Sequence, residues 1–434
     1  MFSERSYLRS DFSRYPGFGL LGIPILLGAS LSMAQQAGAP QRAMVGVANS
    51  LATAQASEEF EEVVVTAARR GLIGTATTAS EGIVVNDELA LTPAYRPGQL
   101  LETVPGLVVT SHSGEGKANQ YLMRGFNLDH GTNLGTYIDG MPVNEPTNAH
   151  GQGYTDLNFL IPELATNIRY TKGTYYASEG DFSSVGSVHM SYLNKIAPRA
   201  TATVGTLGFQ RLFVADSVSL GEGQLLGALE GQHYNGPWDN PDDQRKVNAA
   251  VRYSNGDERD GYSITGLYYH GLWNSSTDQP VRAITAGLIN RFGSLDPSDG
   301  GQAQRASLSA QYFKRVGEGQ LQANAYFISY HFTLWNNFTH YLVDPLNGDQ
   351  EAQHEARNTA GGALSYARTE QIFGINTDWL TGAQARFDHV NVSRLPTRNH
   401  QPLAAADNPL SFSESDKVHL GNTSLYVQAT TEGV

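Results

Sequence analysis

The chain has 434 residues, a hydrophobic fraction of 40% and a mean hydropathy of -0.32, enough for more than one domain and too polar for a bundle of membrane helices. A formal charge of -13 argues against nucleic acid as a partner, which calls for a clustered basic face. The absence of Cys excludes disulfides, thiolate catalysis and Cys-based zinc sites, and leaves the compartment to be read from other features.

At the N-terminus Arg5, Arg9 and Arg14 precede an apolar run from Phe18 to Leu31, followed by the small-x-small pattern Ser32-Met33-Ala34. This predicts a secretory signal peptide over residues 1–34. Gly and Pro24 interrupt the run, which argues against a retained anchor. Ala54-Gln55-Ala56 is a second cleavage pattern behind a weaker apolar core. Residues 35–57 are rich in Ala, Gln, Gly and Ser without periodicity and predict a flexible linker. The segment 58–70, EEFEEVVVTAARR, places a β-prone Val63-Val64-Val65-Thr66 core between charges. Such an exposed strand suits pairing with another sheet edge; its alternative is the first strand of the domain that follows.

Residues 71–194 are predicted to form a compact, turn-rich domain. A short helical turn at Gln99–Thr103, led in by Arg96-Pro97-Gly98, ends at Pro105-Gly106. Strands are expected at 106–110, 120–124, 136–138 and 168–172, with a helix-like 161–166 and a sharp turn at Asp139-Gly140-Met141-Pro142. Beyond Pro198 the pattern changes to period two. Ala306, Leu308, Ala310 and Tyr312 share one face, as do Leu321, Ala323, Ala325 and Phe327, and Ala383, Ala385 and Phe387. Strands are expected at 199–206, 209–219, 224–234, 246–254, 260–271, 305–315, 320–332, 358–366, 380–391 and 418–430. Their connections alternate between tight turns (221–223, 255–259, 316–319) and long segments (235–245, 272–304, 333–357, 392–417). Outer-membrane barrels have this asymmetry, and their strands need about 9 to 11 residues to cross. Tyr268, Tyr269, Tyr326, Tyr330 and Phe332 are expected to form an aromatic girdle at strand ends.

Candidate chemistry is sparse. Gly114–Lys117, GEGK, lacks the spacing of a phosphate loop, and no GxSxG-like motif assembles a nucleophile, so no enzymatic activity, cofactor or metal site is assigned. His112, Asp129, His130 and His150 lie on loops without the spacing of a metal site and are expected to contact a solute. Trp238 and Trp335 fall in predicted outer loops, where they would stack on a ligand ring or mark the membrane interface.

The order LxxxPG at Leu101–Gly106, RGF at Arg124–Phe126 and DGMPVN at Asp139–Asn144 resembles the plug domain of TonB-dependent outer-membrane receptors. The resemblance implies a mainly β protein of the bacterial outer membrane. It would comprise a small α+β plug over 71–194 and a partial antiparallel transmembrane β-barrel over 195–434, about ten of an expected 22 strands. It identifies Glu62, Val63, Val64, Val65, Thr66 and Ala67 as the TonB box, which recruits the TonB energy-coupling protein. It also implies that Arg124 seats the plug against barrel carboxylates. The expected partners are TonB, outer-membrane lipid and an extracellular small-molecule solute, a siderophore-like iron complex, cobalamin or an oligosaccharide, imported as the plug rearranges. Lys172-Gly173-Thr174 and Gly180-Asp181-Phe182 stand where the family commonly has an RGP turn, so substrate identity does not transfer. Ten strands alone would close into a cylinder roughly 20 Å across, too narrow for a plug of roughly 35 Å, so further strands are expected beyond Val434. The alternative is a truncated or non-transporting envelope β-protein that acts only in binding or adhesion.

Overall fold

The computed structural model describes residues 78–93, 95–111, 113–274 and 278–431. The expected signal peptide, linker and TonB box lie outside the described residues.

Two small sheets build the first domain. Strands β1 (Glu81–Val85), β5 (Leu134–Ile138), β6 (Met141–Pro142), β7 (Ala165–Thr171) and β8 (Gly186–Tyr192) form a sheet in the order β1-β7-β8-β5-β6, with β5 and β8 parallel. Strands β2 (Leu107–Thr110), β3 (Gln120–Met123) and β4 (Phe126–Asn127) form the other. The Asp-Gly turn between β5 and β6 has positive φ at both residues, 49° at Asp139 and 77° at Gly140, the twist that suits a two-residue hairpin. A 3-10 helix over Pro97–Thr103 begins at a proline, which sets φ for the first turn and needs no donor there. Leu100, Leu101, Tyr121, Met123, Ile138, Ile168 and Val188 close the core.

Two local expectations change, and two elements appear that the sequence did not predict. The helix-like 161–166 is one 3-10 turn, Pro162–Leu164, and β7 starts at Ala165, because residues 165–171 find partners in β1 and β8. The strand expected at 136–138 begins two residues earlier at Leu134. β1 and the helix α1 (Asn86–Leu91) carry no long periodic signal and emerge only from tertiary pairing.

Ten long strands follow among the described residues. They are β9 (Arg199–Val204), β10 (Gln210–Leu220), β11 (Gly223–Tyr234), β12 (Gln244–Gly256), β13 (Gly261–Trp273), β14 (Gly300–Val316), β15 (Gly319–Asn336), β16 (Glu351–Ile372), β17 (Ile375–Arg398) and, after the short β18 (Gln401–Pro402), β19 (Glu414–Thr431). Each pairs antiparallel with the next, and β17 pairs directly with β19. Residues 221–222, 257–260, 317–318 and 373–374 make tight turns at one end, while 205–209, 235–243, 274–299, 337–350 and 399–413 join the other. β16 and β17 have 22 and 24 residues, far beyond the expected 358–366 and 380–391. Hydrogen bonding continues wherever a neighbour strand runs alongside, whereas alternation marks only the stretch with an apolar outer face.

Phe327 is 50% exposed and its neighbour Ile328 5%, as the pleat requires of opposite faces. Leu308, Leu364, Phe387 and Leu425 share the outward face. The expected girdle is corrected by the same rule. Tyr269, Tyr330 and Phe332 are buried on the inner face, and Tyr326 lines a cavity against the first domain. Tyr268 and Tyr269 are adjacent, so only one of them can face outward, and it is Tyr268.

Phe327→Arg is expected to destabilise the barrel by about 1–2 kcal/mol, between the midplane and interfacial costs of a cation on the lipid face. The inward neighbour Gln322→Arg should be tolerated. Heat-modifiable gel migration checks both, and equal behaviour of the two variants would reverse the facing of β15.

Candidate functional site

The inner wall meets the first domain, here the plug, through five arginines whose strands point them inward. Arg211 on β10 forks onto Glu163 at 2.6 and 2.8 Å and reaches Glu230 of β11 at 3.1 Å. Arg252 on β12 donates to Asp139 at 2.6 Å and to Asn194 at 2.9 Å. Arg305 on β14 lies 4.0 Å above the Phe159 ring. Arg357 on β16 bonds Glu355 and Asp388 at 2.8 Å each, contacts the Thr147 carbonyl, and stands 3.9 Å from Glu145. Arg386 on β17 grips Asp388 at 2.8 and 3.0 Å and donates to the Asn144 carbonyl at 2.8 Å. Planar guanidiniums suit this seam, because each satisfies several acceptors in a fixed geometry.

Arg124, expected in this role, is not on the seam. It is exposed at the Arg124-Gly125 hairpin turn, with φ of 52° and 82°, and donates to the Lys172 carbonyl at 2.8 Å. A turn residue projects from the plug rather than along its wall. In the ion pairs that cross the seam the polarity is the reverse of the expected one: the wall supplies the guanidiniums and the plug supplies Glu163, Asp139 and Glu145, while Glu355 and Asp388 belong to the wall itself. Inward-phase arginines on β10, β12, β14, β16 and β17 were the available sequence signal.

Burial dominates the electrostatics of the plug. It raises the Asp139 carboxyl despite the Arg252 partner, and raises Asp156 to about 6. Glu145 is also pushed up, first by burial and then by the Glu355 carboxylate. Its Oε2 accepts from Asn148 at 2.6 Å. Around Arg357 and Arg386 three carboxyls, Glu145, Glu355 and Asp388, face two cations, so a proton on Glu145 balances the cluster.

The face toward the long connections gathers several of the sequence candidates. The His130 ring is buried 5.0 Å from the His150 ring, and its Nδ1 lies 3.0 Å from the Ala118 carbonyl. Asp129 approaches His130 Nε2 at 3.8 Å from a backbone with φ of 48°. His150 Nδ1 meets Gln353 Oε1 at 3.0 Å, and its ring packs on Tyr154, Phe332 and Phe338. His112 lies outside the described residues. Trp238 packs on Phe292 at 6.2 Å in the 235–243 connection. Trp335 is in strand β15 rather than in a loop, stacked 4.1 Å from His400. Lys117, set aside with the GEGK loop in the sequence, stands where that loop wedges against the wall, and burial lowers it to about 8. There Gly116 has φ of 99°, and a Cβ would lie 2.1 Å from the Trp273 ring, so only glycine fits. Among the described residues no three His, Cys, Asp or Glu side chains are arranged to hold a metal ion.

Toward the tight turns, a cleft of about 550 Å³ separates plug and wall, lined by Tyr137, Gly140, Glu179, His189, Asn324 and Gln384. A second cavity shares Tyr137, Gly140, Asn324 and Gln384 and continues to Asn144 and Arg386. Open space of mixed polar and apolar lining therefore runs along the seam.

The profile of the TonB-dependent Receptor Plug Domain matches residues 75–187. The chain is similar to the vitamin B12 transporter BtuB of Vibrio cholerae serotype O1, 26% identical over 189 residues, 42% of this chain and 30% of the relative. It is 23% identical over 344 residues to BtuB of Vibrio vulnificus, 73% of this chain and 54% of the relative. The chain thus matches about half of these relatives' length or less. In structure it resembles the ferric citrate transporter FecA in the unliganded form, with a TM-score of 0.60 and 14% identity over 82% of this chain and 54% of that one. The copper transporter OprC is equally similar, at 0.60 and 17% identity with the same coverage. The plug match, the BtuB relatives and the shared fold agree: residues 75–187 are a TonB-dependent receptor plug domain, and the ten described long strands that follow share the fold of outer-membrane TonB-dependent transporters.

Proposed function

We propose that the protein imports a small extracellular solute into the periplasm, binding it on the long-connection face and releasing it as the plug rearranges. The single observation that carries this reading is the seam. Plug and wall are joined by discrete ion pairs and hydrogen bonds beside open cavities, and such groups can exchange partners with water as the plug shifts. An apolar seam would lock like a core. The buried His130, Tyr154 and Phe332 support the binding face from beneath, half-buried His150 and exposed Asp129 meet the solute, and Trp238 belongs to the rim, whereas Trp335 has the outward phase of Phe327 on β15. A ring-bearing or metal-bearing solute, such as an iron complex or cobalamin, fits imidazole and aromatic groups better than an oligosaccharide. The segment Glu62–Ala67 serves as the strand that TonB engages. The boundaries 1–34, 35–57, 58–70, 71–194 and 195–434 are the corresponding division into signal peptide, linker, coupling segment, plug and barrel.

Val64→Pro is expected to abolish energised uptake while solute binding persists, because proline removes an amide donor and cannot extend a partner's sheet. Uptake and binding of labelled iron complexes and cobalamin by cells carrying the receptor separate the two steps. Undiminished uptake would show that the segment is not the coupling strand.

The seam yields a second expectation, on plug stability. Glu145 holds its proton in the seated plug because its folded-state affinity for the proton is raised. Its stabilising contribution is therefore complete below the ordinary carboxylate range and declines as pH rises toward the shifted value. Urea release of the plug, measured at pH 5 and pH 8, should show weaker seating at pH 8, and Glu145→Gln should remove most of that difference. Arg252→Ala, which strands buried Asp139, should weaken seating by about 3–5 kcal/mol.

A further inference from the structure

The outward face of the wall carries a second cluster unrelated to the seam. β17 and β19 set His389 directly opposite His419. Both side chains are exposed, their Nδ1 atoms stand 3.0 Å apart, and their ring centroids 4.3 Å apart. The same row continues through Asn358 of β16, opposite His389, and Ser329 of β15. The next outward row toward the tight turns is Phe327, Ala360, Phe387 and Gly421. The histidine pair therefore stands at the border of the apolar band, on the side of the long connections, where water and lipid headgroups reach.

Two imidazole nitrogens bound to one ion at about 2.0–2.1 Å, with an angle between octahedral and tetrahedral, stand roughly 2.9–3.4 Å apart. The observed 3.0 Å lies in that window. Without an ion the same approach requires one neutral ring to donate its Nδ1 proton to the other's lone pair, and a divalent cation replaces that proton. Directly opposed residues of an antiparallel pair hold their side chains at chelating distance without rearrangement of either strand. We propose that His389 and His419 chelate a first-row divalent transition ion, Cu(II), Ni(II) or Zn(II), with the Asn358 amide oxygen as a neighbouring donor and the remaining positions open to water or headgroup oxygens. Imidazole donors select these ions over Mg(II) and Ca(II). The bound ion clips β17 to β19 from outside the barrel, whatever solute passes within.

The test uses receptor extracted from outer membranes in detergent and titrated with Cu(II). Electron paramagnetic resonance is expected to show one site with splitting from two imidazole nitrogens. His389→Gln and His419→Gln should each weaken it at least about 10-fold, as loss of a direct ligand should cost no less than loss of its support. His331→Gln, an exposed histidine on the same face, should leave the site unchanged. Retention of the two-nitrogen signal at wild-type affinity in either Gln variant, or its absence from the wild type, would overturn the proposal. An independent arm uses the unmodified protein: Zn(II) should protect His389 and His419 from carbethoxylation, read by mass spectrometry, and equal modification with and without Zn(II) would refute the site.

Discussion

Within a bilayer every backbone donor and acceptor must find its partner inside the protein, because hydrocarbon offers none and each unpaired group costs several kcal/mol. From β9 to β19 an unbroken antiparallel ladder meets this demand for every interior long strand, while β9 and β19 each pair on one side among the described residues. Pleating then divides each strand into two independent faces. Leu308, Phe327 and Phe387 go out, and Arg305, Ile328 and Asp388 go in. The ladder fixes where a side chain points, and position across the membrane fixes what solvent it meets.

The inner face inherits a different problem. The wall seats a domain through groups that can remain satisfied in more than one arrangement. Arginine serves this better than lysine, since the fork of Arg211 on Glu163 and that of Arg386 on Asp388 each occupy two acceptor oxygens at once. The three carboxyls around Arg357 and Arg386 exceed the cations by one. That imbalance is tolerable because the excess charge can be removed by a proton rather than by a further side chain. Buried ion pairs contribute little net stability against an apolar alternative, yet breaking one partner of a pair is expensive. A seam built of them is specific in register without being deeply bound.

Much of this organisation was legible in the residues. The turn chemistry of Pro105-Gly106 and Asp139-Gly140 marked the plug hairpins, and period-two alternation with unequal connections marked the wall. Strand lengths were not, because β16 and β17 extend by pairing with each other, a long-range property with no local pattern. The girdle was misjudged because an aromatic at a strand end was counted without its phase: Tyr269, Tyr330 and Phe332 alternate inward. Arg124 was misplaced because a motif names a residue without giving the direction of its turn. His130 and His150 lie twenty residues apart on separate loops, and only the folding of the plug brings their rings to 5.0 Å.

The distribution of histidine ties these points together. On the inner side His150 is held by Gln353, whose own amide donates to Glu351, so the ring orientation is fixed by two strand residues of the wall. A plug that moves must release that bond, which makes the ring a reporter of seating as well as a contact surface. On the outer side His389 and His419 are held by the register of two strands that do not move with the plug. The same residue type therefore has one mobile setting and one rigid setting, and the difference follows from which face of the ladder, or which element packed against it, carries the ring. The contacts in this fold divide by face: exchangeable polar contacts inside, where plug meets wall, and fixed cross-strand contacts outside, set by the register of the ladder.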